Sequence, residues 1–330
     1  MITIIIPTHN RKEVLKRAIE YYKIFKNFEI IVCDSSEIAE DNFEKIKYLH
    51  LPNMGFANKI KIALENANNK YVCLSPDDDF LIENNLLIGY EFLEKNLKYS
   101  TVHGIYFQFE KNENNFVNFN TIYSHNNSLN VINPDPLKRV EKLINPFMQL
   151  LYSLHRIENI KSFVTVASKS KELTNLEISA NLIVPILGFH KTLPILWMLR
   201  DKHRYTTYNI TKNNLNTVVS NYNEYLMTEN GIFFKTIITN FYKDNFYKSN
   251  KTVLVDFDNL FKSYLDYEIE NATPKIIKNK FKRYINNRFV TFKESILVNK
   301  MILKNFRFIK YFKKFIIKFN NLIIVEDNRI

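Results

Sequence analysis

The run Ile2 to Ile6 constrains the fold more than any other feature of this sequence. It is an almost unbroken β-branched series ended by Pro7, without the alternation of a strand that has one face in water. Such a run suits a strand buried on both faces, as in a parallel sheet. The segment Arg11 to Phe25 follows with the apolar spacing of an amphipathic helix. The chain therefore opens with a strand and a helix typical of an α/β fold.

The same alternation continues to about residue 100. Strands are predicted at Glu29 to Cys33, Tyr48 to Leu51 and Tyr71 to Leu74, and helices at Phe56 to Ala67 and Asn84 to Asn96. Alternating strands and helices favour right-handed crossovers and a doubly wound α/β sheet. In such sheets, ligands bind beyond the carboxyl ends of the strands, where helix N-termini face anions.

The following segment predicts a different mixture of elements. Aromatic alternation over Val102 to Phe109 and Phe116 to Ile122 indicates a β-hairpin. Helical patterns cover Leu137 to Leu154 and Leu176 to Leu199, and Ser162 to Ala167 between them reads as a strand.

Three polar loops fall at the predicted carboxyl edge, over residues 8–11, 34–36 and 75–79. The last contains Asp77, Asp78 and Asp79, which repel one another unless a cation or hydrogen bonds offset their charges. Mg²⁺ prefers one or two carboxylates together with phosphate oxygens, so the cluster predicts a divalent metal and a phosphate-bearing ligand. The alternative is a solvated turn in which an aspartate caps the helix at Asn84.

These loops and their strands resemble, in order, the motifs of family 2 glycosyltransferases of the GT-A fold. The segments that carry the resemblance are 3–11 (TIIIPTHNR), 30–35 (IIVCDS), 53–55 (NMG) and 71–79 (YVCLSPDDD). The resemblance covers roughly the first hundred residues and is greatest to the branch that builds bacterial surface polysaccharides. It implies a GT-A-type, Rossmann-like doubly wound sheet with a C-terminal helical extension.

The resemblance also implies a nucleotide-sugar site in which Asp34 binds the nucleobase. The other residues expected to bind the donor through these loops are Pro7, Thr8, Asn10, Arg11, Ser35, Asp77 and Asp78. The family has an Arg after its Asn-x-Gly motif, whereas this region offers Lys59 and Lys61. A Lys supplies the charge but not the bidentate fork. Lys59 is therefore either a phosphate-binding residue or an ordinary surface lysine.

The acidic motif departs from the family's Asp-x-Asp-Asp, because Pro76 stands where the first aspartate is expected. Asp78 then matches the metal-binding position, and Asp79 is the second metal candidate for Mg²⁺ or Mn²⁺. Asp77 and Asp79 form an alternative pair, since residues two apart share a side of extended backbone.

The second half of the chain offers a candidate base. Glu177 stands eleven residues before Gly188. In the family, the same interval separates the acidic residue that acts as catalytic base from a glycine. In that role Glu177 would deprotonate the acceptor hydroxyl and give inversion. The alternative is a first-turn glutamate favoured by the helix dipole, and Leu176 replaces the Glu of the family's Glu-Asp pair.

Residues 200–204 fall about where the family closes a histidine or basic residue over the diphosphate. His203 is expected to complete the metal shell, and Arg200 and Arg204 to bind phosphate. The alternative is a polar turn after a helix. His9 is expected to orient its loop, and the remaining histidines lack the spacing of metal ligands.

Positive charge is concentrated near the C-terminus. Residues 275–318 contain fourteen Lys and Arg and one acid, whereas residues 1–274 are neutral overall. Between Lys300 and Lys318 basic residues cover one side of a predicted helix and aromatic residues the other. This helix either packs its apolar face on the domain or contacts an anionic membrane surface. No nucleic-acid-binding signature accompanies the charge.

The predicted organisation is a glycosyltransferase domain over residues 1–212 and a basic helical region over residues 213–330. Residues 1–100 form the nucleotide-binding half and residues 101–212 the acceptor-side half. Cys33 and Cys73 lie in apolar runs, which fits a reducing cytoplasm. No run is long enough to cross a membrane, so a cytoplasmic protein, peripheral on the inner face of the membrane, is expected.

The expected activity is inverting, metal-dependent transfer of a sugar from a nucleoside-diphosphate donor to a capsular or lipopolysaccharide glycan. A nucleotidyltransferase can share the sheet and the acidic site, but the loop from Pro7 to Arg11 lacks the glycines of its usual phosphate loop. A non-catalytic polybasic membrane-surface protein is the other alternative. The sequence leaves the sugar, the acceptor, the linkage and the oligomeric state open.

Overall fold

The computed structural model describes residues 2–40, 43, 45–111, 114, 116–121, 129–144, 150–169, 174–202, 228–245 and 296–327. Within them lies a ten-stranded mixed sheet. Its strands are β1 (Ile2–Thr8), β2 (Phe28–Asp34), β3 (Lys47–His50), β4 (Tyr71–Leu74), β5 (Asp79–Leu81), β6 (Tyr99–Lys111), β7 (Val117–Thr121), β8 (Asn130–Val131), β9 (Leu154–Arg156) and β10 (Phe189–Asp201). The helices are α1 (Lys12–Tyr22), α2 (Phe56–Glu65), α3 (Glu83–Lys95), α4 (Pro136–Ile144), α5 (Ile157–Ala167), α6 (Thr174–Leu187), α7 (Glu229–Asn245) and α8 (Phe306–Asp327), the last preceded by helical residues 296–304.

The main path of the sheet has the order β3-β2-β1-β4-β9-β6-β10-β5. Strands β1 to β4 pair in parallel, and β6 pairs in parallel with β10. Strand β9 is antiparallel to both β4 and β6, so β6 and β10 run in the direction of β4. The carboxyl ends of β1 to β4, β6 and β10 therefore lie along one edge.

The first strand is buried at every position, as its continuous apolar run predicts. Helix α2 packs against β1, β2 and α5, while α1 contacts β5 and α8. Cys33 and Cys73 are buried, unpaired thiols in adjacent parts of the sheet. The predicted α/β class is confirmed, and antiparallel strands β5, β7, β8 and β9 are added to the parallel framework.

Predictions for the second half were partly wrong. The segment Ser162 to Ala167 is not a strand but the end of α5. The pattern from Leu176 to Leu199 is helical only as far as Leu187 and then becomes β10. Gly188 separates the two elements, and a Cβ there would lie 2.8 Å from the Lys98 carbonyl oxygen. The close approach of two backbones explains the change of element at this residue.

The pattern from Leu137 to Leu154 was also read too long. Helix α4 ends at Ile144, and Leu154 begins β9. The predicted hairpin is confirmed by the antiparallel pairing of β6 with β7. The predicted domain boundary at residue 212 lies outside the described residues and stays a prediction.

Helix α8 packs its aromatic face on the domain. Phe312 is fully buried, with ring centroids 5.2 Å from Phe80 and 5.1 Å from Phe109. Phe315 adds contacts with Phe80 and with Tyr21 of α1. The basic side chains of this segment are exposed, namely Lys300, Lys304, Arg307, Lys310, Lys314 and Lys318. Packing of the apolar face, one of the two predicted roles, is therefore present in the structure.

In the part of the chain that the structure describes, no helix combines the length and the apolar character needed to span a bilayer.

The packing of α8 predicts an effect of Phe312→Ala on stability. Loss of a fully buried aromatic side chain should cost about 3 to 5 kcal/mol and lower the melting temperature by several degrees. Phe306→Ala is the matched control in the same helix, because Phe306 is 58% exposed and should change stability little. Equal melting temperatures for the two variants would show that α8 does not dock as described.

Candidate active site

Four chain segments meet at the carboxyl edge of the sheet. Thr8 ends β1 beside Asp34 at the end of β2. Residues 75–78 follow β4, with the Ser75 amide donating to the Ile5 carbonyl at 2.9 Å. Strand β10 brings Arg200 into register with Asp79 at the start of β5. Polar loops from both halves of the sheet thus form one site.

Arg11 links this site to the first loop. Its Nη1 donates to Asp77 Oδ1 at 2.6 Å, and its Nη2 donates to Asp78 Oδ2 at 2.8 Å. The second oxygen of Asp77 accepts a 2.7 Å hydrogen bond from the Thr8 hydroxyl. Arg11 is the N-cap residue of α1. This position explains why its side chain reaches the acidic loop, Asp77 to Asp79, from the end of β1.

Asp79 is bound on both oxygens from the other side. Arg200 Nε donates to Oδ2 at 2.8 Å, and the backbone amide of Asp201 donates to Oδ1 at 3.2 Å. Both oxygens of Asp79 therefore already have a partner, and the residue is 2% exposed. The predicted metal role of Asp79 stays a prediction, as does phosphate binding by Arg200.

The neighbouring ion pair between Arg17 and Asp201 escaped the sequence analysis. Arg17 Nη1 donates to Asp201 Oδ2 at 2.8 Å, and each side chain is only 1% exposed. Arg17 also lies over the ring of Phe80, with Cζ 5.1 Å from the ring centroid. A charged residue within the buried face of α1 was the available signal, because buried arginines require a partner.

Burial changes the ionisation of the acidic loop. It raises the pKa of Asp77 and of Asp79, because a carboxylate in a dry environment loses its hydration. Arg11 opposes the pKa increase at Asp77, and Arg200 opposes it at Asp79. Both carboxylates therefore depend on nearby cations to remain ionised.

Lys59 is not a surface lysine, since it is 2% exposed. Its ammonium group donates to the Thr8 carbonyl and, at 3.0 Å, to the Ser35 hydroxyl. Burial lowers its pKa, and the negative charges of Asp77 and Asp34 act in the opposite direction. Lys59 thus links the loops after β1 and β2 by hydrogen bonds. Its predicted contact with phosphate is untested.

Asp34 is the last residue of β2 and is 1% exposed. The Tyr48 hydroxyl donates to Oδ2 at 2.7 Å, and the Ser36 amide donates to Oδ1 at 2.8 Å. Tyr48 was not singled out from the sequence, because its partnership with Asp34 depends on the pairing of β2 with β3. The nucleobase role of Asp34 remains a prediction.

A cleft of about 240 Å³ opens beside these residues. Its wall is formed by Thr8, Asn10, Arg11, Lys12, Leu15, Asp34, Ser36, Glu37, Ile38 and Glu40. Asn10 adopts a left-handed conformation with φ of 52°, and its amide donates to the Ser36 hydroxyl at 2.7 Å. His9 lies 3.1 Å from the Ser35 hydroxyl, as expected of a residue that orients the loop. Pro7 is buried within β1.

Glu177 lies half-buried in the first turn of α6. Helix α6 ends beside the start of β6, where the Ser100 hydroxyl donates to the Val184 carbonyl at 3.2 Å. The role of Glu177 as base stays a prediction.

The other basic and histidine candidates fall into two groups. His203 and Arg204 lie outside the described residues, so their predicted roles stay predictions. His103, His155 and His190 are fully buried in the sheet. Burial lowers the pKa of each of these three imidazoles.

The acidic loop can contribute to a metal site but does not form a complete one. Among the described residues, no group of three or more His, Cys, Asp or Glu side chains is arranged to hold a metal. Asp78 Oδ1 makes no hydrogen bond within this part of the chain and is partly exposed. One open carboxylate oxygen fits an ion that takes its other ligands from phosphate and water, as Mg²⁺ does.

Comparison with known proteins gives one family match over part of the chain. Residues 3–149 match the model of glycosyl transferase family 2. No curated protein matches the chain.

Two solved structures are similar to the chain. The crystal structure of S. aureus TarS 1-349 is 13% identical, with 82% of this chain and 81% of that chain covered and a TM-score of 0.42. A crystal structure of S. aureus TarS is 14% identical, with 83% of this chain and 49% of that chain covered and a TM-score of 0.38. The family match thus covers just under half of the chain, and over residues 3–149 the chain is similar to glycosyl transferase family 2.

Proposed function

We propose that this protein is an inverting glycosyltransferase that uses a nucleoside-diphosphate sugar and a divalent metal. Its acceptor is a hydroxyl group of a bacterial surface glycan, such as a capsular or lipopolysaccharide chain. Glycosyl transfer in general follows from the family match. The observation that supports the finer proposal is the meeting of Asp34, Arg11 and the acidic loop at one edge of the sheet.

The donor would bind with its base beside Asp34 and its diphosphate beside Arg11. Asp34 is already fixed by Tyr48 and Ser36, so it shapes a rigid wall for the nucleoside. Arg11 lines the same cleft and presents a planar guanidinium, which suits bidentate recognition of phosphate. Arg200 and Lys59 add positive charge around the acidic loop and offset its repulsion of a diphosphate.

Asp78 is the residue expected to bind the metal, and Asp79 or Asp77 is the next candidate ligand. A bound Mg²⁺ or Mn²⁺ would neutralise charge on the departing nucleoside diphosphate. His203, named from the sequence as a further ligand, lies outside the described residues.

Glu177 is proposed as the general base. It would accept the proton from the acceptor hydroxyl as that oxygen forms a bond with the anomeric carbon. The bond between that carbon and the diphosphate oxygen breaks on the opposite face, and the nucleoside diphosphate leaves with the electron pair. Configuration at the anomeric carbon is therefore inverted.

Donor binding can be tested by thermal stabilisation with UDP, GDP, CDP and CMP, each with and without Mn²⁺. At least one nucleoside diphosphate should raise the melting temperature in a metal-dependent way. Asp78→Asn should remove the metal-dependent part, since it removes the open anionic ligand. Glu91→Gln, in an exposed ion pair on α3, is the matched control. No response to any nucleotide would reject the proposed function.

The base assignment predicts a different result for Glu177→Gln. Stabilisation by the nucleotide should be retained, whereas sugar transfer should fall by about 10² to 10⁴-fold because no group takes the proton. Transfer is measured as release of nucleoside diphosphate with a glycan acceptor. Unchanged transfer would exclude Glu177 as the base. In a separate assay with a nucleoside triphosphate and a sugar phosphate, release of pyrophosphate would instead indicate a nucleotidyltransferase.

We also propose that α8 holds the enzyme on the inner face of the cytoplasmic membrane, near a lipid-linked acceptor. The outer surface of α8 and of the preceding helical residues 296–304 combines exposed basic residues with the exposed apolar side chains of Leu303 and Phe306. Each basic group near an anionic surface contributes on the order of 1 kcal/mol. The buried aromatic face is already occupied by the domain, so attachment would be electrostatic with shallow apolar insertion.

Flotation with anionic liposomes at low salt tests this attachment. Combined reversal of Lys304, Arg307 and Lys310 to Glu should abolish flotation. The matched control reverses Lys95, Lys98 and Lys138, which are exposed elsewhere and give the same net charge. Equal loss in both variants would indicate a general charge effect, and no flotation of the native protein would reject the proposal.

A further inference from the structure

Arg11 occupies the place that a divalent cation would take between two aspartates. Its two terminal nitrogens bind Asp77 and Asp78 at 2.6 and 2.8 Å. We propose that Arg11 is a counter-ion that prevents a divalent metal from binding Asp77 and Asp78. When the donor diphosphate binds, Arg11 moves from the two carboxylates to the diphosphate. The inference rests on the proposed function, since it concerns how that site is loaded.

Each of the described carboxylates around the loop has an arginine partner without a metal. Asp77 and Asp78 pair with Arg11, Asp79 pairs with Arg200, and Asp201 pairs with Arg17. A divalent ion that entered this network alone would meet the guanidinium of Arg11 at close range. Repulsion at such distances is strong where burial limits screening by solvent. The metal should therefore bind poorly in the absence of a new anion.

Arg11 is the cation in this network that is placed to change partners. Arg17 is sealed in the interior with Asp201. Lys59 is enclosed between the loops after β1 and β2. Arg11 and Arg200 each have a side chain that is 16% exposed, but Arg11 lines the proposed nucleotide cleft and Arg200 does not. The Arg11 guanidinium can turn from the carboxylates towards a ligand in that cleft.

A second observation points to an anionic ligand beside Arg11. Arg11 Nε is buried and has no hydrogen-bond partner in the described part of the chain. A buried donor without an acceptor costs about 1 to 3 kcal/mol relative to a satisfied one. A phosphate oxygen in the cleft would accept a hydrogen bond from this nitrogen and so offset that cost. The diphosphate would thereby draw Arg11 away and leave Asp77 and Asp78 to the metal.

The exchange makes metal and donor binding mutually supportive. The diphosphate replaces the two carboxylates as the negative partner of Arg11. The metal then replaces Arg11 as the positive partner of Asp77 and Asp78. By linkage, each ligand must raise the affinity for the other by the same factor. A metal-free, donor-free site would remain closed by its own salt bridges.

Titration of Mn²⁺ without nucleotide, followed by the electron paramagnetic resonance signal of the free ion, tests the inference. The native protein should bind Mn²⁺ weakly. Arg11→Gln should bind it about tenfold more tightly or better, because the competing charge is gone. Addition of Asp78→Asn to Arg11→Gln should abolish the gain. Circular dichroism establishes that each variant is folded.

Two controls separate position from charge. Lys16→Gln removes one charge from the same helix outside the cleft, at a side chain that is 44% exposed and pairs with Glu13. It should leave Mn²⁺ affinity near the native value. Arg11→Lys retains a charge and should keep binding weak. An Arg11→Gln affinity equal to that of the native protein and Lys16→Gln would overturn the inference.

The titration also separates this inference from the proposed function. It requires no nucleotide and no transfer, so it reports on Arg11 even if no nucleoside diphosphate binds. Conversely, nucleotide stabilisation with unaltered metal affinity in Arg11→Gln would support the enzyme and reject the counter-ion role.

Discussion

The buried ion pair between Arg17 and Asp201 holds the carboxyl edge of the sheet together. It joins the first helix to the end of β10, although 184 residues separate the partners. Removal of either partner would leave an unpaired charge in the interior, which is far more costly than loss of a surface pair. The backbone amide of Asp201 also binds Asp79. This buried contact therefore supports the placement of the acidic loop, together with the bonds from Thr8 and Arg200.

The first hundred residues could be predicted because their signals are local. Each parallel strand is a short apolar run that ends in a polar loop, so Asp34, Arg11 and the aspartates could be assigned to one edge. The error over residues 162–167 has a different origin. Val164, Thr165 and Val166 favour a strand, but α5 is placed between α2 and α6, where packing overrides that preference.

Partnerships across the fold could not be read in the same way. Tyr48 with Asp34 and Arg200 with Asp79 depend on strand register, which is set by contacts distant in sequence. The acidic loop looked like a bare cluster of negative charge in the sequence. In the structure each of these aspartates has an arginine partner, so the negative charge of the loop is compensated by side chains distant in sequence.

The ring of Phe80 connects this network to the C-terminal helix. Phe80 follows Asp79 directly, carries Arg17 over its face and packs against Phe312 of α8. The aromatic side of α8 therefore forms part of the floor beneath the acidic loop. If the helix were absent, water would reach Phe80 and raise the local dielectric constant around Arg17 and Asp79. The strength of the charge interactions of Arg17 and Asp79 thus depends on a segment more than two hundred residues away in sequence.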